Sequence, residues 1–186
     1  MKLNSITDKI FTIDNFLSDE ECEVYIKLSH EIGYEKAKVE AIGEAKVIES
    51  VRNNTRAFYE SIETADLLWH KLKDIYPVKK LGNSFAVGLN ELFRFYRYES
   101  GHQFRPHVDD SFVRNELEAS YFTFMIYLND DCEGGETRFI DHTITPSKGM
   151  ALLFWHQLEH EGCPVTEGIK YVLRTDVMYR YIGEEN

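Results

Sequence analysis

Beyond residue 90 the chain is cut into short runs of β-branched and aromatic residues separated by turn-forming ones, and this punctuation limits the fold more than any other feature. Strands are predicted over 91–98, 121–128, 137–140, 150–154 and 169–179. The separators are Glu99-Ser100-Gly101 and the stretches 129–135, 146–149 and 162–168, which hold most of the local glycine and proline. Short strands at this spacing suit a sandwich or barrel and leave no room for βαβ crossovers. An aromatic content of 13%, weighted towards Tyr and Phe, fits a sheet-rich interior.

The first part reads differently. Ser18 and Glu21 have capping-box spacing, and Cys22, Tyr25, Ile26, Ser29 and Ile32 then share one helical stripe that Gly33 ends. A second helix is predicted over 65–75, with Leu68, Leu72 and Ile75 inward and Tyr76-Pro77 as its stop. Residues 34–55 are polar and without a clear period. They read as a long loop or weak hairpin, the kind of segment that serves as a lid. The 186 residues suit a single domain: helical support and loop over 1–90, a β core over 91–180.

Charge and cysteine usage narrow the function classes. With 21 basic against 32 acidic residues the formal charge is −11, which argues against a nucleic-acid partner. No apolar run is long enough to span a membrane, and the first residues lack a signal-peptide core. Cys22, Cys132 and Cys163 form no CxxC pair and are expected to be reduced thiols, so a soluble, cytoplasmic protein without a membrane partner is expected.

Most of the seven histidines need no special role, but His107-Val108-Asp109 is different. In extended chain, alternate residues point to one face, so this imidazole and carboxylate can converge on one ion. His160, just past another predicted strand, is the candidate third ligand. Two neutral imidazoles and one carboxylate leave open positions on one side of a divalent ion, the facial arrangement of non-heme Fe(II) oxygenases. A plain hydrogen bond between His107 and Asp109 is the bland alternative, and zinc is another, although a zinc hydrolase would also need a placed base. His156 and His160 stand four apart, but Gln157 occupies the place where HExxH needs glutamate. His156 therefore reads as structural, and His102 beside Gly101 as a loop hydrogen-bonder. In the last strand Lys170, Val172, Arg174 and Asp176 share one face, unusually polar for a dry core.

The ordered set Tyr98-x-x-Gly101, His107-x-Asp109, Gly134-Gly135-Glu136-Thr137, Pro146-x-x-Gly149, His160 with Cys163-Pro164-Val165, and Gly168-x-Lys170 resembles the Fe(II)/2-oxoglutarate dioxygenases, and among them the catalytic domain of prolyl 4-hydroxylases. The resemblance covers about residues 90–180. It implies an α+β, mainly β fold, a double-stranded β-helix (jelly-roll) with N-terminal helices packed on one sheet. It implies Fe(II) on His107, Asp109 and His160, with 2-oxoglutarate anchored by Lys170 in a pocket lined by Tyr98 and Tyr127. Dioxygen as oxidant and ascorbate as reductant follow from the same likeness. Phe104 stands where related enzymes often carry tyrosine, so no hydroxyl role passes to it. Arg174 has no family role to inherit and is a candidate for holding 2-oxoglutarate or substrate.

Asp109 speaks against a halogenase, which lacks that carboxylate. The expected reaction is hydroxylation of a peptidyl proline or proline-like substrate with release of succinate and CO2. The alternatives are a small-molecule hydroxylase for amino acids or metabolites, a nucleic-acid demethylase, which the charge disfavours, and a non-catalytic jelly-roll binding module. Substrate choice is expected to lie in 34–55 with Arg52, in Arg56, and in a flexible lip over 110–120 carrying Arg114.

Overall fold

In the computed structural model, which describes residues 1–37, 39–41, 44–46 and 51–183, the principal elements follow one another in this order. Strand β1 (Lys2–Ser5) and β2 (Ile10–Asp14) precede helix α1 (Asp19–Ile32), and β3 (Thr55–Glu60) precedes helix α2 (Ile62–Leu72). Then come β4 (Ser84–Leu89), β5 (Leu92–Glu99), β6 (Phe104–His107) and β7 (Glu118–Tyr127). Last are β8 (Thr137–Phe139), β9 (Ala151–Trp155), β10 (His160–Gly162) and β11 (Ile169–Tyr181).

The larger sheet has the antiparallel order β1-β2-β9-β7-β11-β5-β3, continued by Glu35–Lys36, and β4 pairs with the C-terminal part of β11. The smaller sheet runs β6-β10-β8 and ends on Thr143–Ile144. This double-stranded β-helix matches the expected class, mainly β with two helices against one sheet.

Alternation along the strands divides the core. Phe93 and Phe95 of β5, Phe124 and Ile126 of β7 and Leu173 of β11 face the helices, where Cys22, Tyr25, Leu68 and Leu72 cover them. Their neighbours Tyr96, Tyr98, Met125, Tyr127 and Val172 face the smaller sheet and meet Phe139, Phe154 and Val165. Helix α1 begins as expected: the Ser18 hydroxyl accepts from the Glu21 amide, and Glu21 reaches back to the Ser18 amide at 2.8 Å.

Several expectations need correction. Strands also occur before residue 77: β1, β2 and β3 join the same sheet as the C-terminal strands, so the first 90 residues are more than helical support. Helix α2 starts earlier than predicted, because Ser61 accepts from the Thr64 amide and caps it there. The lip over 110–120 contains strand Val113–Asn115 paired with β7, and Arg114 is tied to Glu91 and Glu118 rather than free above the site. Of the two readings of 34–55, a long loop or a weak hairpin, the pairing of Val39–Ala41 with Glu44–Lys46 agrees with the hairpin, while 38, 42–43 and 47–50 lie outside the described residues.

Candidate metal centre

The three candidate ligands meet through strand register. On the smaller sheet β6 pairs with β10 so that His107 lies directly opposite His160. The regular strand stops at His107, so Asp109 is placed not by strand pleat but by its own backbone: its amide donates to the His156 carbonyl at 3.0 Å. One ligand atom from each of His107, Asp109 and His160 then lies within 4.8 Å of the others. Asp109 oxygens stand 3.9 Å from His107 Nε2 and 3.8 Å from His160 Nε2.

Hydrogen bonds behind the imidazoles fix which nitrogen faces the centre. His107 Nδ1 is 2.8 Å from the Arg105 carbonyl and His160 Nδ1 is 3.0 Å from the Leu158 carbonyl. A carbonyl only accepts, so both Nδ1 atoms carry the proton and both Nε2 lone pairs point inward. Burial holds His107 down to about 4, helped by His160, and lowers His160 as well, so both rings are neutral near pH 7.

Burial alone would push the Asp109 carboxyl up, but Arg174, His160, the Thr123 hydroxyl and His107 together hold it well below the usual carboxylate range. Arg174 Nη2 lies 3.1 Å from Asp109 Oδ2, and Thr123 Oγ1 donates to the same oxygen at 2.5 Å. Two neutral imidazoles and one ionised carboxylate form a donor set that fits a divalent ion with free positions on one side.

Lys170 is 2% exposed and enters the same cavity from β11. Its Nζ donates to the Gly135 carbonyl and lies 5.1 Å from the Tyr98 ring centre and 5.4 Å from that of Tyr127. Burial brings its ammonium down to about 8, with Cys132, Cys163 and Glu136 pulling the other way. Glycine is required beside it. Gly134 and Gly135 have φ of +71° and +73°, and a Cβ on Gly135 would come within 3.0 Å of Lys170 Cδ. Tyr127 donates or accepts at 2.7 Å with Thr137, and burial pushes the Tyr98 phenol up to about 12 against the pull of Arg52.

Arg174, a candidate for holding 2-oxoglutarate or substrate, lines the same cavity, where its guanidinium is engaged by carboxylates of this chain. Besides Asp109 it reaches Asp176 Oδ1 at 3.2 Å, and Arg94 stands 3.6 Å from Asp176 Oδ2. His156 is buried at this network, with Nδ1 3.0 Å from Thr123 and Nε2 3.0 Å from Ser120, a structural position. His102 Nδ1 accepts from the Glu99 amide at 3.1 Å within its loop. Thr123 and Tyr96 belong to no motif in the sequence. Strand alternation from Tyr127 and Tyr98 puts both on the cavity face.

Two histidines on facing strands and one carboxylate just beyond them form the donor set that non-heme Fe(II) oxygenases use. The sequence model of the 2OG-Fe(II) oxygenase superfamily matches residues 93–175. Prolyl 4-hydroxylase 1 of Arabidopsis thaliana is 28% identical over 90% of this chain and 68% of its own length. Probable prolyl 4-hydroxylase 7 of the same plant is 27% identical, over 61% of its length, so the chain spans about two thirds of these relatives. Among solved structures, the viral collagen prolyl hydroxylase of Paramecium Bursaria Chlorella virus-1 in its 2OG complex superposes with a TM-score of 0.67 at 24% identity, covering 93% of this chain and 97% of that one. A Trichoplax adhaerens prolyl hydroxylase bound to a hypoxia inducible factor peptide fragment gives 0.66 at 18% identity, covering 94% and 84%. Residues 93–175 thus match the 2OG-Fe(II) oxygenase superfamily model, and the chain is similar to prolyl 4-hydroxylases along most of its length.

Proposed function

We propose that this protein is a Fe(II)- and 2-oxoglutarate-dependent dioxygenase that hydroxylates a peptidyl proline or a proline-like substrate, releasing succinate and CO2. The observation that carries the reading is the placement of His107, Asp109, His160 and buried Lys170 around one cavity.

Each side chain has a task in it. The inward Nε2 atoms of His107 and His160 and the ionised Asp109 carboxylate would hold the metal. Arg174 and Thr123 keep that carboxylate charged and oriented. Lys170 lacks a carboxylate partner among the described residues, and the far carboxylate of 2-oxoglutarate supplies one. Tyr98 and Tyr127 wall the ammonium, and Met125, Phe154 and Val172 keep bulk water from the reacting groups. The metal and the keto acid together supply the oxidising power that turns dioxygen and a C–H bond into a hydroxyl group. Ascorbate would serve as the reductant that keeps such a metal in its Fe(II) state. The free thiols Cys22, Cys132 and Cys163 suit a reducing cytoplasmic compartment.

The reading is tested with proline-rich peptides and free proline incubated with enzyme, Fe(II), ascorbate and 2-oxoglutarate. The expected result is succinate matched by a gain of one oxygen on proline. Oxygenation of an unrelated metabolite, with proline untouched, removes the prolyl reading and keeps the dioxygenase chemistry.

A further inference from the structure

The cavity-facing side of the larger sheet continues past the metal centre. β3 lies beside β5 with Arg56 opposite Tyr96, so the face that carries Tyr96 and Tyr98 extends onto Arg56. The chain ahead of β3 adds Arg52, which is bridged to Phe104 at the start of β6. Arg52 is only 6% exposed. Its guanidinium carbon sits 4.6 Å from the ring centre of Tyr96 and 4.3 Å from that of Phe104, and both rings line the cavity. Phe104 in turn stacks on His107 with ring centres 3.5 Å apart, so Arg52 is one aromatic layer away from a metal ligand.

The Arg52 fork is oriented but not satisfied. Nε donates to Asn54 Oδ1 at 2.7 Å, whereas Nη2 is buried with no hydrogen-bond partner. Among the described residues no carboxylate pairs with Arg52. Arg56 has the same character in weaker form: Nε is buried without a hydrogen bond, and Glu35, mostly exposed, is 3.6 Å away. The other two arginines of this face are matched, Arg94 to Asp176 and Arg174 to Asp109 and Asp176. A buried cation without a counter-ion is costly, and a guanidinium fork is shaped for the two oxygens of a carboxylate. Among the described residues this cationic spot is uncompensated, in a chain of net charge −11, and an anion from outside would match it.

We propose that Arg52, supported by Arg56, is a carboxylate-binding subsite for the substrate, taking an acid group of the same molecule whose C–H bond is presented to the metal centre. This rests on the oxygenase reading above and narrows its substrate class to carboxylate-bearing molecules. The subsite is separate from the cosubstrate anchor: Lys170 lies against Tyr98 and Tyr127, Arg52 against Tyr96 and Phe104. Two sources share the chemistry, an acidic side chain flanking the target in a peptide and the carboxylate of a free amino acid.

The test is binding by calorimetry under nitrogen, with Zn(II) in place of Fe(II) and 2-oxoglutarate present. One pair of probes is a capped proline peptide with flanking aspartates and its asparagine counterpart. The other pair is L-proline and L-prolinamide. In at least one pair the carboxylate member should bind tighter by about tenfold or more, the size of one charge-assisted contact. The pair that responds identifies the source. Arg52→Gln should abolish the preference, Arg52→Lys should keep part of it, and Arg56→Gln should weaken it.

If no probe binds, thermal melts in acetate against chloride at equal ionic strength decide. Acetate should raise the Tm of the wild type and leave Arg52→Gln unmoved. No carboxylate preference and no acetate protection overturn the proposal, as does a preference that survives in Arg52→Gln. A rise in the 2-oxoglutarate requirement of Arg52→Gln also overturns it, because the arginine then serves the cosubstrate. Arg52 acting only as a structural staple would lower the Tm of Arg52→Gln without touching carboxylate preference. The two readings fail separately. Oxygenated proline without carboxylate preference removes only the subsite, and carboxylate preference without oxygenated proline removes only the prolyl reading.

Discussion

The two faces of the larger sheet are built from the same strands and are buried to a similar degree, yet they do different work. On β11 the residues Leu173, Val177 and Tyr179 join the dry core under the helices, while Lys170, Arg174 and Asp176 face the cavity. On β7 the same division separates Phe124 from Thr123. Burial alone thus does not mark function. The cavity face is marked by polar groups whose burial is compensated by one another, and at Lys170 and Arg52 only in part. Placing chemistry on one side of a pleat lets the other side hold the fold.

The largest expected effect separates the faces outright. Asp109→Ala or His160→Ala should reduce 2-oxoglutarate turnover to background while the thermal melt moves little. Phe124→Ala, on the helix side, should cost about 3–5 kcal/mol of stability and leave turnover per folded molecule intact. Paired denaturation and succinate assays read both, and a metal-ligand variant that unfolds would blur the division. Lys170→Ala comes next. Loss of one partner of a buried ion pair costs on the order of 3–5 kcal/mol, so the 2-oxoglutarate requirement should rise roughly a hundredfold or more. Should that requirement stay normal, the anchor lies elsewhere on this face.

Much of this division is legible in the amino-acid sequence. Alternation along 169–179 separates Lys170, Arg174 and Asp176 from their apolar neighbours, because pleat is a local property. The spacing of His107 and Asp109 is local as well. The rest depends on which distant strands meet, which no local pattern encodes. Arg174 pairs with Asp109 only because β11 lies beside β7 and the Asp109 amide is held by the His156 carbonyl. β1 leaves little trace in the sequence because its composition is polar, whereas β2, Ile10-Phe11-Thr12-Ile13, carries β-branched and aromatic residues and is legible. The early start of α2 follows from the Ser61 cap, a single side chain in a polar stretch.

Smaller effects sharpen the picture of the cavity face. Thr123→Val removes the hydroxyl donated to Asp109 and a partner of His156, and metal affinity should fall about 10–100-fold by equilibrium dialysis. The Lys170 ammonium is lost as pH rises through about 8, so 2-oxoglutarate affinity should decline above that pH and the decline should vanish in Lys170→Arg. Acid has the smallest effect, and it acts on stability. Burial holds His156 down to about 4 from 6.5, so the unfolded chain takes up that proton first. Stability should therefore fall as pH drops from 6.5 towards 4, read as a declining Tm.

The central claim, that the cavity between the two sheets holds a metal and a keto acid through His107, Asp109, His160 and Lys170, is tested most directly by anaerobic equilibrium dialysis of Fe(II) with and without 2-oxoglutarate. One metal per chain is expected, with 2-oxoglutarate retained only when the metal is present, and with both lost in the doubly substituted His107→Ala, His160→Ala protein. Stoichiometric, tight metal binding by that double variant would contradict the account.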